Sequence, residues 1–209
     1  MGRSWSAHMD LRSLLSHPTV YQFCQNAVGA RGARRRLVRD FFCPADGMKI
    51  LDIGCGPADI LEFLPQVRYF GFDASPEYIR DAQRRWGGRG HFNCATVNAQ
   101  TLQERDFDLV TAIGVLHHLD DAEARSLFAL ASEVLRPGGR LVTLDGVYVA
   151  KQSPVARYLL SKDRGEYVRS RDAYETLARS AFGDLESTVL HDLIFPLPYT
   201  HLVMACIRS

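Results

Sequence analysis

The segment Lys49-Ile50-Leu51-Asp52-Ile53-Gly54-Cys55-Gly56-Pro57-Ala58-Asp59 constrains the fold more than any other part of the chain. Its short apolar run ending at Gly54 reads as a buried strand. Gly54 and Gly56 lack a Cβ, so the backbone can turn sharply there and a ligand can lie against it. Residues 58–64 then read as a helix stopped by Pro65, and residues 67–72 as a second strand. Asp73 ends that strand, about 20 residues beyond the turn, where a carboxylate can accept hydrogen bonds from both ribose hydroxyls of an adenosine-type ligand. The two features together, in this order, are far more specific than a glycine pattern alone.

The rest of the chain repeats the alternation. Ser75-Pro76-Glu77 opens a helix, with Ser75 as N-cap and Pro76 at the first helical position, and Gly87-Gly88 stops it. Strands are predicted at 91–97, 107–115 and 140–147. A helix starts at Asp120-Asp121, reaches Leu135 and is ended by Pro137-Gly138-Gly139. Strands separated by helices imply a doubly wound α/β architecture with a mostly parallel sheet covered on both faces. Beyond it, one or two helices lie between 154 and 182. Two final strands, 185–193 and 201–208, have little room for a helix between them and should pair as an antiparallel hairpin at the sheet's end. Ahead of the turn, helix-like spacing of Leu14, Leu15, Tyr21, Phe23, Val28, Leu37, Val38 and Phe41 predicts two helices between 11 and 42, with Gly29 and Gly32 marking the break. The polar, aperiodic stretch Met1–His8, followed by Met9, reads as a vector remnant. This leaves one domain over 9–209.

Bulk properties exclude several classes. The net charge is +1, which argues against a duplex nucleic-acid binder, since such proteins need a basic surface. No apolar run approaches the roughly 20 residues of a membrane span. The N-terminus lacks a signal-peptide apolar region, so a cytoplasmic location is expected. The five cysteines stand singly, without metal-ligand spacing, and are expected as reduced thiols with no metal bound.

A nicotinamide dinucleotide would use a similar turn, but with Gly-x-Gly-x-x-Gly against its pyrophosphate. Here the third glycine is missing, and Asp52 and Asp59 would crowd a pyrophosphate with negative charge. Asp52 suits instead a ligand carrying an amine and a sulfonium.

Over roughly 48–147 the chain resembles the class I S-adenosylmethionine-dependent methyltransferases, in particular the small-molecule group with a Leu-Asp-x-Gly-Cys-Gly opening. The resemblance rests on Leu51–Gly56, Gly71-Phe72-Asp73-Ala74-Ser75, Phe107-Asp108-Leu109-Val110, Val115-Leu116-His117-His118-Leu119 and Leu135-Arg136-Pro137-Gly138-Gly139. It implies a Rossmann-like seven-stranded sheet with the last strand antiparallel, in keeping with the C-terminal hairpin. It implies S-adenosylmethionine as cofactor, contacted by Asp52, Gly54, Gly56, Pro57, Asp73, Ala74, Asn98, Ala99 and Gly114. The sequence departs from the family at two places. Ala58 replaces a frequent glycine, which a slightly wider loop would tolerate. Asn98-Ala99 stands where an acidic residue usually meets the adenine amino group; the Asn98 side-chain oxygen can still accept that bond. The Asp52 charge either meets the methionine part of the ligand or holds the loop.

The resemblance also places the acceptor machinery. The 117 position tends to border cofactor and acceptor, while the 118 position more often holds the loop through hydrogen bonds. A neutral imidazole can take a proton from an acceptor hydroxyl or amine, which makes His117 the candidate catalytic base; His201 on the last strand is a lesser candidate. Segments 9–46 (a helical cap) and 148–172 (an acceptor lid rich in Arg, Lys and Tyr) are expected to cover the pocket. The Arg31–Arg39 run reads as a solvated helix face or as an anchor for an anionic acceptor. The expected activity is methyl transfer to an O, N or C nucleophile of a small polar molecule, without a metal. The alternatives are an RNA or protein methyltransferase and a non-catalytic cofactor-binding module. The RNA and protein enzymes often carry Asn/Asp-Pro-Pro-aromatic after strand four, where this chain has Ile113-Gly114-Val115-Leu116. The acceptor is expected to be a small molecule, with neither membrane nor nucleic acid as partner, and a homodimer is left open.

Overall fold

The computed structural model describes residues 29–98, 101–162, 165–194 and 196–209. The expected vector remnant, the first of the two N-terminal helices and Ala99 lie outside these residues.

Among the described residues the elements alternate as the hydrophobic pattern requires. They are α1 (Ala30–Leu37, continued by a π turn over Val38–Phe42), β1 (Lys49–Ile53), β2 (Arg68–Asp73), α2 (Pro76–Trp86), β3 (Gly90–Cys94), β4 (Phe107–Ile113), α3 (Asp121–Val134), β5 (Leu135–Tyr148), α4 (Pro154–Ser161), the two-residue β6 (Arg169–Ser170), α5 (Arg171–Ala178), β7 (Asp184–Leu190) and β8 (His201–Ile207). The main sheet runs in the order β3-β2-β1-β4-β5-β8-β7, with β6 pairing off β5. β1 lies parallel to β2 and β4, and β8 is antiparallel to both β5 and β7. This is the expected seven-stranded α/β sheet with its last strand reversed. The order reverses at β1, where crossovers leave on opposite faces and open a crevice at the carboxyl ends of β1 and β4. Covered on both faces, the central strands are almost continuously apolar. One core cluster holds Leu51, Ile53, Val110, Ala112, Leu141, Phe128 and Tyr174. The other holds Ile50, Leu109, Val142, Leu37, Phe42, Leu61 and Ile79. Odd and even residues of each strand therefore feed different cores.

Helix starts follow local chemistry. The Ser75 hydroxyl accepts from the Tyr78 N–H, and Pro76 fills the first turn of α2. Asp120 and Glu123 form a reciprocal capping box at the start of α3.

Three expectations need correction. Gly29 is the N-cap of α1, but Gly32 lies inside the helix rather than at a break. The helix expected over 58–64 is only a 3-10 turn, Asp59–Glu62, because Ala58 takes a left-handed conformation and Pro65 leaves no room to propagate. Pro137-Gly138-Gly139 does not end α3, which gives way to β5 at Leu135. Those residues sit where the β4–β5 register shifts, between Phe107 and Leu109. Their backbone is satisfied by the chain end: the Gly138 N–H donates to Arg208 O and the Arg208 N–H to Gly139 O. No described helix is long and apolar enough to cross a membrane.

Candidate active site

The turn after β1 is held by its neighbours. The Gly54 and Cys55 N–H groups both donate to Phe72 O at the end of β2. Gly54 has φ +70, and a Cβ there would lie 2.6 Å from Val115 Cγ2, so both conformation and space demand glycine. Gly56 also has positive φ, yet nothing lies within 4 Å of where its Cβ would be; its outer face is open to a ligand. Ala58, with φ 55 and ψ 34, is fully buried. The chain thus accommodates the missing third glycine by a left-handed alanine, at about 1–2 kcal/mol, with the methyl group packed in the core.

Asp73 ties this turn to α2. Its Oδ2 accepts from the Gly56 N–H at 2.9 Å and its Oδ1 from the Ser75 N–H at 2.7 Å. A carboxylate offers about four lone-pair sites, so two remain for a ligand. The helix-start role and the ligand role are therefore compatible in one side chain.

Asp52 is buried behind the turn. Tyr69 on β2 and Thr111 on β4 both donate hydroxyl hydrogen bonds to its carboxylate. Burial raises its pKa from 3.8 to about 6, against the lowering effect of those two bonds. Asp52 thus fastens three adjacent strands through side chains while lining a cavity of about 220 Å³ with Gly54, Pro57, Asp59 and Arg34. α1 closes the far wall of that cavity through Ala33 and Leu37. A second cleft of about 650 Å³ opens beside β1, lined by Ile53, Val97, Asn98, Val115, Leu119 and the apolar face of α3. The Asn98 side-chain oxygen accepts the Thr101 N–H at 2.9 Å and closes its own loop. Ala74 is exposed beside Asp73, and Gly114 follows β4 with its N–H donating to Leu144 O.

The 117 imidazole is bonded to an acid on the neighbouring strand β5. His117 is buried, its Nδ1 lies 2.8 Å from Asp145 Oδ1 on β5, and its backbone N–H also donates to that oxygen. His118 is exposed and stacks on it at 4.1 Å between ring centroids. Segment 165–169 straps the loop: the Tyr167 N–H donates to His117 O, and the Arg169 guanidinium to Leu116 O, Leu119 O and Asp121. His201, on β8, is buried against Tyr199 and pairs with Gly146 of β5, whose pleat places it on the opposite sheet face from Asp145.

The arginine run of α1 is spoken for. Arg31 meets Glu62, Arg34 meets Asp59, Arg36 meets Asp192 and Asp40, Arg39 meets Asp40, and Arg35 lies over the Phe63 ring. Arg31, Arg35 and Arg39 are exposed, while Arg34 also lines the cavity beside Asp52. Asp145, Tyr69 and Thr111 were not singled out from sequence. The available signal was a polar residue inside an apolar strand: Thr111 and Asp145 each interrupt a buried run and need partners.

This turn, acidic strand end and reversed last strand define a Rossmann-like methyltransferase fold. The match to solved structures shows the same: the S-adenosylmethionine-dependent methyltransferase SibL superposes with a TM-score of 0.70 over 95% of this chain and 61% of its own, at 16% identity. Residues 50–139 match the family described as a methyltransferase domain, and over this stretch the chain is similar to the class I S-adenosylmethionine-dependent methyltransferases. It is 30% identical to the O-methyltransferase cnsE of Penicillium expansum over 81% of this chain and 63% of that protein. It is 32% identical to the ubiquinone/menaquinone biosynthesis C-methyltransferase UbiE of Desulfotalea psychrophila over 56% of this chain and 49% of that one. The chain therefore spans about half to two thirds of the length of these relatives.

Proposed function

We propose that this domain moves the methyl group of S-adenosylmethionine onto an oxygen, nitrogen or carbon nucleophile of a small polar molecule, by in-line displacement and without a metal. The observation that carries the reading is the open face of Gly56 beside the spare lone pairs of Asp73. Those groups suit a ribose, Asp52 and Pro57 the amino-acid end, and Ile53, Val97 and Asn98 an adenine. The bound cofactor supplies an already activated methyl group, so the chain's task is to orient the acceptor and exclude water. Orientation alone can be worth about 7–11 kcal/mol. His117 serves as the base for an acceptor that must lose a proton, and a neutral amine would not need it.

Segment 148–172 covers the acceptor side in this reading. Arg157 and Arg169 lie over the Tyr148 and Tyr167 rings there, which stiffens a polar, aromatic cover. One relative is named an O-methyltransferase and another a C-methyltransferase, so the attacking atom is left open. Four arginines of the 31–39 run are paired with carboxylates, which leaves less positive charge there for an anionic acceptor.

The test is labelled-methyl transfer into small-molecule extracts, with His117→Ala alongside. Label is expected in a small organic product. His117→Ala is expected to slow single-turnover transfer while S-adenosylhomocysteine affinity stays the same. Label found only in RNA or protein would overturn the acceptor class, and unchanged single-turnover rates would remove His117 from the chemistry.

A further inference from the structure

α4 carries apolar side chains on two opposite faces. Ala156 and Leu160 point inward and are buried. Leu160 packs on β5 so closely that a Cβ on Gly146 would lie 2.6 Å from its Cδ2. One inward stripe is all that a surface helix of this length needs. Yet Val155, Tyr158 and Leu159, at the i, i+3 and i+4 positions of the other face, are apolar as well. Val155 is 55% exposed and Tyr158 58%, the two highest values among the large apolar side chains of the described residues. Leu159 is half-buried. Singly exposed apolar residues are normal, but adjacent ones on one helix face mark a contact surface.

The charge around this face is of one sign. No Asp or Glu stands between Asp145 and Asp163, while Lys151, Arg157 and Lys162 fall within that stretch. All three are exposed. Lys162 extends the outer face at i+7 from Val155, with its Nζ 5.8 Å from the Tyr158 ring centre, and the Arg157 guanidinium lies over the Tyr148 ring. Arginines of α1 are paired with carboxylates, whereas among the described residues no carboxylate pairs with these three cations.

An apolar strip flanked by cations calls for an anionic occupant. A second copy of this chain does not fit, because a two-fold contact through this face would set like charges against each other. A protein partner fits less well than a lipid surface. A helix of eight residues is about 12 Å long and 10 Å wide. Its outer face is far smaller than the roughly 800 Å² a side of a standard protein interface. Lipid association needs only a few inserted apolar side chains with cations beside them. Tyr and Lys suit that layer, since each has an apolar body and a polar end.

We propose that the outer face of α4, with Val155 and Tyr158 inserted and Lys151, Arg157 and Lys162 beside them, is a docking surface for the anionic headgroup layer of a membrane. So few groups give a weak and reversible contact. The expectation of no membrane partner rests on the absence of a spanning run, which a surface contact does not require. The proposal is independent of the reading of the methyl-transfer site.

The experiment is flotation of the full chain at low salt, with vesicles of phosphatidylcholine alone and with vesicles of phosphatidylcholine and phosphatidylserine in equal parts. The chain is expected to float with the mixed vesicles, to stay behind with the neutral ones, and to come off as salt is raised. Lys162→Ala should lower the partition coefficient about five-fold, the share of one charge near an anionic surface. Val155→Ser combined with Tyr158→Ser should lower it further. Hydrogen exchange of the wild type on the mixed vesicles locates the contact without any variant, with protection expected over 154–161. No flotation with the mixed vesicles, equal flotation by the variants, or protection confined to other segments would overturn the proposal. So would a dimer in sedimentation velocity that the double variant abolishes, which would give the face to a second copy. Binding to polyglutamate in place of the vesicles would give it to an acidic protein and overturn the proposal as well.

Discussion

Replacing Asp52 by Asn should make this protein more stable at neutral pH and a poorer ligand binder. Asp52 has a pKa of about 6 when folded, against 3.8 for the free side chain. Because the folded pKa is the higher, the folded chain holds more protons between these values, and stability falls as pH rises through the window. At about 1.4 kcal/mol per pH unit, the span from 3.8 to about 6 amounts to about 3 kcal/mol lost by pH 7 and recovered below pH 4. Asparagine keeps the shape and does not ionise. The Tyr69 and Thr111 hydroxyls, which donate to the carboxylate, can also accept from an amide. The stability difference between Asp52→Asn and wild type should therefore grow in the variant's favour by up to about 3 kcal/mol from pH 4 to pH 7. Urea unfolding of both proteins at each pH gives that difference directly, with the titration of other groups cancelling. Affinity for S-adenosylmethionine should fall in the same variant, since the negative charge facing its cationic end is gone. A difference that stays flat across the window would refute the assignment of a buried, ionisable Asp52.

Three further outcomes follow from the same geometry. Asp73→Ala should weaken S-adenosylhomocysteine binding by on the order of 1–3 kcal/mol in calorimetry, since it removes the sugar's acceptor and also unties the Gly56 and Ser75 N–H groups; unchanged affinity would defeat the ribose assignment. Gly54→Ala should lower stability by about 2 kcal/mol or more, from its left-handed backbone and the 2.6 Å approach to Val115, read as a lower midpoint in denaturant. Arg169→Ala should leave Leu116 O and Leu119 O without their charged donor, and amide exchange in the 116–119 loop should accelerate while that of β1 stays the same.

Part of the candidate site is legible in the sequence. The strand, the glycine turn and the acid at the end of β2 are local signals, carried by residues adjacent in the chain or on consecutive elements. The partners of Asp52 and His117 are not of that kind. Tyr69 lies 17 residues away, Thr111 59 and Asp145 28. No periodicity links such positions, and only sheet order brings them to bonding distance. The 3-10 turn after Ala58 and the register shift at Pro137-Gly138-Gly139 were misread for a related reason. Helix and turn signals there are short, and tertiary contacts outweigh them.

What the sequence by itself determined is the alternation of buried strands and amphipathic helices, the reversed final strand and the glycine turn facing an acid. These depend on hydrophobic period and backbone sterics, which act within a few residues. Tertiary structure alone decided that the 117 imidazole meets Asp145 of β5, that the arginines of α1 are paired with Glu62, Asp59, Asp40 and Asp192, and that Asp52 is buried deeply enough to shift its ionisation. Those outcomes depend on desolvation and on charges far apart in the chain, and neither is fixed until the sheet has closed around them.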